Sequence, residues 1–399
     1  MLKNKKIPFI IYIFFVLVYA NQGFSDLPSQ CIYYLTREGW HLSVTMLGLL
    51  AFLTSFAWYV KPLFGLASDY FGRKNKLKQY LIINTLFIII ASLFIIMFGL
   101  NFWTLIIIMF LINIAIAGND TTNDKQMCEL EQKHDLSGKI QAIQWTSLGF
   151  AGLFVAIGGA WIADKIPEPY NYKVAFGIML VIPILLLGYL LKYYKNSGVR
   201  NSKVRFDWSY FKNKEFLIGI LFIVLLRFSP SFGTGLMVKM RETMGIEKMF
   251  LGYLGATGTV LGIVGYLIYY WKAWKIPLKK LLYFAIIFSA LTNLCYLYIP
   301  NKWVVMGYNV AFGAFDGVCF LAVLAFMAKI VPVGSEGVYY AVLTSLNNLS
   351  GRLGGVIGGL LYDNFGYNVN VIVASITTLL CLFLVPYLVI KEKSNAQLS

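Results

Sequence analysis

Long apolar runs constrain this chain more than any other feature of its sequence. A helix needs about 20 predominantly apolar residues, at ~1.5 Å rise each, to cross the hydrocarbon core of a bilayer. We count twelve such runs, at roughly 7–35, 44–66, 79–100, 102–124, 140–163, 172–192, 216–239, 249–271, 279–299, 303–328, 338–361 and 369–390. With 59% hydrophobic and only 13% charged residues, a soluble globular protein is excluded. The expected fold is an all-α membrane protein of twelve transmembrane helices in two pseudo-symmetric six-helix bundles. The first run is too long for a straight crossing, so it should bend near Pro28 or extend beyond the bilayer. Its basic start and Val18-Tyr19-Ala20 resemble a secretory leader. The apolar character continues past Gly23 and many spans follow, so it is read as the first transmembrane helix.

Charge sets the orientation. The short segments that face inward when the N-terminus is inside hold 24 of the 34 Lys and Arg, against seven in the outer loops. That bias predicts both termini in the cytoplasm. It also explains the net charge of +16 by anionic lipid rather than nucleic acid. The richest inner segment, Lys192 to Glu215, divides the chain into a bundle at 1–193, a linker at 194–215 and a bundle at 216–399. The halves resemble each other. Leu35-Thr36-Arg37-Glu38 is echoed by Met240-Arg241-Glu242, Gly48 by Gly252, and Gly158-Gly159 by Gly358-Gly359, with Asp164 and Asp363 shortly after. Two-fold transporter folds show such weak internal symmetry.

Three basic residues, Lys61, Arg227 and Arg352, and four acids, Asp26, Asp120, Asp124 and Asp316, fall inside the spans. Each costs at least ~2.5–3.5 kcal/mol at the bilayer centre, so it should line a polar cavity or find a partner. Arg227 and Asp316 lie ~16 and ~20 Å into their spans, near the midplane. With Arg352 and Asp26 they are the expected substrate-binding residues, and Asp26 and Asp316 the expected proton carriers. Lys61, Asp120 and Asp124 lie toward the cytoplasmic ends of spans two and four and are expected to form an inner gate. The five cysteines are scattered, and His41 and His134 are isolated, so neither a disulfide framework nor a metal site is expected. There is no Walker motif and no Ser/His/Asp arrangement, so an enzyme or an ATP-driven pump is not expected, and no cofactor is implied.

The stretch Lys61 to Lys74, KPLFGLASDYFGRK, closes the second run with Gly65, Asp69, Gly72, Arg73 and Lys74 in the spacing G-x-x-x-D-x-x-G-R-K. The glycines permit close helix packing, and Asp69 can pair with Arg73 or cap a helix N-terminus. Asp69 and Arg73 are therefore counted with the inner gate. The pattern resembles the loop after the second span in the major facilitator superfamily. Further stretches resemble its folate–biopterin transporter family. These are Trp58 to Gly65 with Ser68-Asp69; Asp120, Asp124 and Glu129; Gly138, Gln141 and Trp145; Phe250-Leu251-Gly252; Pro277 to Leu282; and Pro332 to Gly337 with Tyr340-Ala341 and Ser345 to Asn348. The chain departs from the family at Thr121, Thr122, Asn123, Lys125 and Gln126, where small or apolar residues are usual. Arg227 and Arg352 have no assigned place in the family pattern.

The resemblance implies secondary active transport of folate, pterin or a related polar heterocycle, by a monomer in the bilayer. The residues suit that cargo. Guanidinium binds carboxylate bidentately, as the glutamate tail of a folate would require of Arg227 and Arg352. Asp316 suits pterin donors. Proton coupling through an aspartate in an apolar cavity is the expected energy source. Two alternatives stay open. One is another metabolite such as S-adenosylmethionine or an amino acid, for which Asp26 and Asp316 would be the anchors. The other is a receptor or scaffold that does not transport.

Overall fold

The computed structural model describes residues 8–134, 139–196, 208–331 and 336–389, and all regular structure among them is helical. The helices are α1 (Phe9–Phe24), α2 (Ser29–Tyr34), α3 (Val44–Thr54), α4 (Lys61–Arg73), α5 (Leu77–Phe98), α6 (Phe102–His134), α7 (Lys139–Lys165) and α8 (Tyr170–Met179). They continue as α9 (Val181–Lys192), α10 (Lys214–Phe228), α11 (Gly233–Val238), α12 (Lys248–Trp271), α13 (Leu278–Cys295), α14 (Lys302–Ile330), α15 (Glu336–Phe365) and α16 (Tyr367–Leu380). Residues 197–207 of the linker expected at 194–215, and the Pro332 to Ser335 stretch, lie outside the described residues.

Ten segments among the described residues are long and apolar enough to cross a membrane. The expected second and eleventh spans are the two outside that set. The second is broken: α3 ends at Thr54, Phe56–Tyr59 form a 3₁₀ turn, and α4 starts at Lys61. Pro62 suits the start of α4, because the first turn has no intrahelical use for its N–H. The eleventh, α15, is long enough but carries Asn347, Asn348, Ser350 and Arg352 along its length. Lipid-facing stripes are plain on the others. On α5, Ile83, Phe87, Ile90, Phe94 and Phe98 are exposed, while Leu81, Ile88 and Ile95 are buried. An exposed apolar stripe of that length belongs in hydrocarbon rather than water.

The chain divides into two compact units. Unit 1 comprises 1–42, 50–202 and 246–259, and unit 2 comprises 43–49, 203–245 and 260–399. Unit 1 packs two apolar cores. One is built on residues such as Tyr34, Ile88, Leu105 and Phe176, the other on Phe14, Phe15, Leu81 and Leu186. Unit 2 packs one large core that includes Phe216, Phe222, Leu282, Phe326 and Tyr339.

Each unit contains one long helix that is interrupted in the same way. In unit 1, α1 stops at Phe24, the chain turns through 25–28, α2 runs for six residues, and Leu35–Gly39 form a π-helical turn. In unit 2, α10 stops at Phe228, the chain turns through 229–232, α11 runs for six residues, and Lys239–Thr243 form a π-helical turn. Every boundary from α2 to the start of the next long helix is shifted by 204 positions, the separation of Gly48 and Gly252. Pro28 stands in the first turn and Pro230 in the second, where neither need donate to a helix.

A glycine on a neighbouring helix explains how each broken helix is tolerated. A Cβ at Gly159 would meet the carbonyl oxygen of Leu27 at 3.1 Å, and one at Gly358 would overlap that of Ser231 outright. Leu27 and Ser231 are themselves 204 residues apart. In both units a glycine of the neighbouring helix lets exposed backbone of the break lie directly on it. In unit 2 the contact includes a hydrogen bond from Ser231 N to Gly354 O at 3.0 Å.

Candidate functional site

The C-terminal half of α6 is the most polar buried stretch in unit 1, and its partners come from several helices. Lys61, at the start of α4, places Nζ 2.6 Å from Asp120 Oδ2 and 3.7 Å from Asp124 Oδ2. A lysine in the first turn opposes the helix dipole, and the two carboxylates offset that cost. Tyr19 of α1 donates to Asp124 Oδ1 at 2.8 Å. Lys61 also stands 5.4 Å over the ring of Trp58, whose indole N–H donates to Asn113. The expected grouping of Lys61, Asp120 and Asp124 is thus present as an ion cluster.

The residues that depart from the family pattern have partners too. Thr122 bonds to Ser68 of α4, Asn123 accepts from Gln144 of α7, and Gln126 donates to Tyr194. Lys125 is 2.5 Å from Asp69, so Asp69 pairs across to α6 rather than with Arg73, which is exposed. The substitutions therefore change local chemistry without leaving orphaned charge. The side chain of Glu129 lies outside the described residues.

Unit 2 treats its charges differently. Arg227 lies one residue before the end of α10, and Arg352 lies on α15. The two helices pack together, and a Cβ at Gly351 would stand 3.4 Å from Arg227 Nη2. Arg227 and Arg352 are close enough for their like charges to repel. Both are exposed, and among the described residues neither makes an ion pair. Asp316 on α14 is likewise exposed and makes none among the described residues. In unit 1, Asp26 sits exposed in the turn between α1 and α2.

Asp363, noted in the sequence only as an acid after the glycine pair, caps α3. Its carboxylate accepts from Val44 N at 3.1 Å and Thr45 N at 2.7 Å. Partial burial raises its pKa, but the bonds from Thr45, Val44 and Ser43 outweigh that, leaving it below the usual carboxylate value. Asp164 is not its equivalent: it pairs with Lys165. A groove of 580 Å³ between α1 and α7 is lined by Val16, Phe24, Phe150 and Phe154 among others and by none of the candidate charges. No group of three or more His, Cys, Asp or Glu among the described residues could hold a metal.

Sequence reasoning missed Tyr19, Lys125 and Gln144. The first looks like any aromatic in an apolar run. The spacing D-x-x-x-D-K on a helix could have flagged Lys125 as a residue needing a carboxylate.

Broken helices, matched units and intramembrane charge define a polytopic membrane transporter of the major facilitator type, and the comparisons agree. The profile of the MFS_1 like family matches residues 10–372, so the chain belongs to that family. A folate–biopterin transporter of Synechocystis sp. is 23% identical, over 91% of this chain and 78% of that protein. Folate transporter 1 of Plasmodium falciparum is 21% identical, over 97% of this chain and 78% of that protein. In fold, the chain is similar to the nucleoside transporter NupG, with a TM-score of 0.72 at 13% identity, covering 96% of this chain and 99% of that one. It is also similar to a D-xylose–proton symporter, with a TM-score of 0.71 at 15% identity, covering 94% and 97%. The protein is a multi-pass membrane transporter and not an enzyme.

Proposed function

We propose that this transporter moves folate, pterin or a related polar heterocycle by alternating access, driven by protons. In this reading twelve spans form two six-helix bundles with both termini cytoplasmic, and one chain suffices. The observation that carries the substrate class is the exposed Arg227–Arg352 pair beside the break after α10. Two like charges held together inside an apolar span are unfavourable without an anion, and a carboxylate-bearing ligand satisfies both. Discontinuous helices near the midplane are where two-fold transporters bind substrate. The names of the relatives point to the same cargo. Asp316 is assigned to the donor edge of the heterocycle, with Asp26 as a further polar contact. Lys61 with Asp120, together with Asp69, Lys125 and Arg73, is assigned to the cytoplasmic gate. Asp26 and Asp316 are the carriers the sequence suggests for the proton.

The test is uptake into proteoliposomes of folates, pterins, nucleosides and amino acids, with and without an inward proton gradient. Folate accumulation that collapses with the gradient is expected. Uptake indifferent to the gradient removes proton coupling. Preference for a cation such as S-adenosylmethionine shifts the anchors to Asp26 and Asp316. No uptake of any compound favours a receptor.

A further inference from the structure

Among the described residues, the charges around Lys61 do not balance. Lys61 brings one positive charge to two carboxylates, those of Asp120 and Asp124, and both carboxylates lie within the apolar segment Phe102–Met127. Lys125 cannot supply the difference, because it is engaged with Asp69. A surplus negative charge in that setting costs at least ~2.5–3.5 kcal/mol on insertion scales. The cluster is therefore short of one positive charge in its resting arrangement.

We propose that the missing charge is the coupling proton and that Asp124 carries it, rather than Asp26 or Asp316. The inference rests on the proton-coupled reading given above. Two features select Asp124 over Asp120. Lys61 is nearer Asp120, at 2.6 Å against 3.7 Å, so the ammonium is committed first to Asp120 and only loosely to Asp124. The Asp120 side chain is 3% exposed and that of Asp124 35%, so only Asp124 can exchange a proton with water directly. Tyr19 donates to Asp124 Oδ1, a bond that is stronger to the carboxylate than to the neutral acid, and leaves Oδ2 as the oxygen that binds the proton. A metal ion is disfavoured at the same point, because the Lys61 ammonium already occupies the space between the two carboxylates.

Occupancy has a mechanical consequence. With Asp124 neutral, Lys61 pairs with Asp120 alone. With Asp124 ionised, the lysine is shared between two acceptors. Lys61 is the first residue of α4, directly after the interruption at Phe56–Tyr59, so sharing it pulls on the point where the second span is discontinuous. Among the described residues Asp124 is faced by Tyr19 of α1, Lys61 of α4 and Asp120 of α6, while the elements packed on α6 add Asp69 of α4, which holds Lys125, and Tyr80 of α5, which lies against Gly118. Tyr194 lies after α9 and bonds to Gln126, and α7 contributes the uncharged Gln144.

Two measurements on the full-length protein test this, one without substrate. In pH-difference infrared spectra of the purified protein, a protonated-carboxyl C=O band should be present in wild type, Asp26→Asn and Asp316→Asn and absent in Asp124→Asn, with a shifted band in Asp124→Glu. In proteoliposomes with radiolabelled folate, Asp124→Asn should keep counterflow exchange and lose gradient-driven accumulation, and Asp124→Glu should restore accumulation. A band that survives Asp124→Asn and vanishes in Asp26→Asn or Asp316→Asn overturns the assignment. So does accumulation driven by sodium with no carboxyl band in wild type. If wild type moves no folate while the band behaves as stated, the proton site stands and the substrate reading fails.

Discussion

Unit 1 breaks its first helix at residues 25–28 and unit 2 breaks its counterpart at 229–232, yet the two units handle intramembrane charge in opposite ways. Unit 1 ties Lys61 to Asp120 and Asp124, and Lys125 to Asp69. Unit 2 leaves Arg227, Arg352 and Asp316 exposed, with no ion pair among the described residues. The backbone plan is repeated and the chemistry is not. A paired charge in an apolar setting is occupied, and changing it disturbs the fold or the charge balance. An unpaired charge beside a helix break is held ready for something that arrives. Substitutions in unit 1 should therefore register first in stability or coupling, and those in unit 2 first in binding.

The largest expected effect is steric and separates the two glycine pairs. Gly358→Ala drives a methyl into the backbone oxygen of Ser231, which has nowhere to go. Overpacking of that kind costs ~3 kcal/mol or more, so folded yield in detergent should fall sharply. Gly158→Ala meets the Phe154 ring at 3.4 Å and the Leu27 side chain at 3.8 Å, both near ordinary contact, and should fold as well as wild type. Equal tolerance at both sites would mean that Gly358 does not support the break in unit 2 in the way described.

Next comes Lys61→Ala. Removing one partner of a largely buried ion pair costs about 3–5 kcal/mol, read as a lower Tm for the purified protein. Lys61→Ala combined with Asp120→Asn should recover part of that loss. A Tm unchanged in the single variant would remove the ion cluster from the stability of unit 1.

Arg227→Ala and Arg352→Ala should behave in reverse. Each loses a charge-assisted contact of ~1.5–3 kcal/mol, about 10–100-fold in folate affinity, while Tm stays level or rises as like-charge repulsion is relieved. A fall in Tm with unchanged affinity would show these arginines to be structural.

The smallest effect concerns Asp363. Its carboxyl is held below the usual range, so its contribution is complete at neutral pH and is lost as pH falls through the lowered native value. Asp363→Asn should cost no more than ~1 kcal/mol, the modest end of a helix cap at an exposed site. It should also flatten the acid side of the pH–Tm curve. A curve superimposable on wild type would mean that the bonds to Val44 and Thr45 contribute nothing measurable.

Much of this is legible in the sequence, for physical reasons. Ten of the twelve apolar runs form membrane-length helices, because length and hydropathy are local properties. Pro28 marks the first break, and the glycine pairs and Arg-Glu dipeptides mark the repeat. The break after α10 is not apparent from the sequence, although Ser229-Pro230-Ser231 carries a proline, since the flanking residues remain apolar. The interruption of the second span is hidden for the same reason: Phe56 to Val60 are apolar whether or not they are helical. The union of Lys61 with Asp120 follows from equal depth. The pairing of Lys125 with Asp69 and the cap by Asp363 join residues 56 and 318–319 positions apart, and only packing decides such partners.

The most direct test of the division between units is binding of two ligands that share a ring and differ in charge, a folate and a free pterin without the carboxylate tail. Their affinities would be measured on wild type and on the Arg227→Ala/Arg352→Ala double variant. The account predicts that wild type prefers the folate and that the double variant binds both alike, with its Tm intact. A preference for folate that survives the loss of both arginines would contradict it.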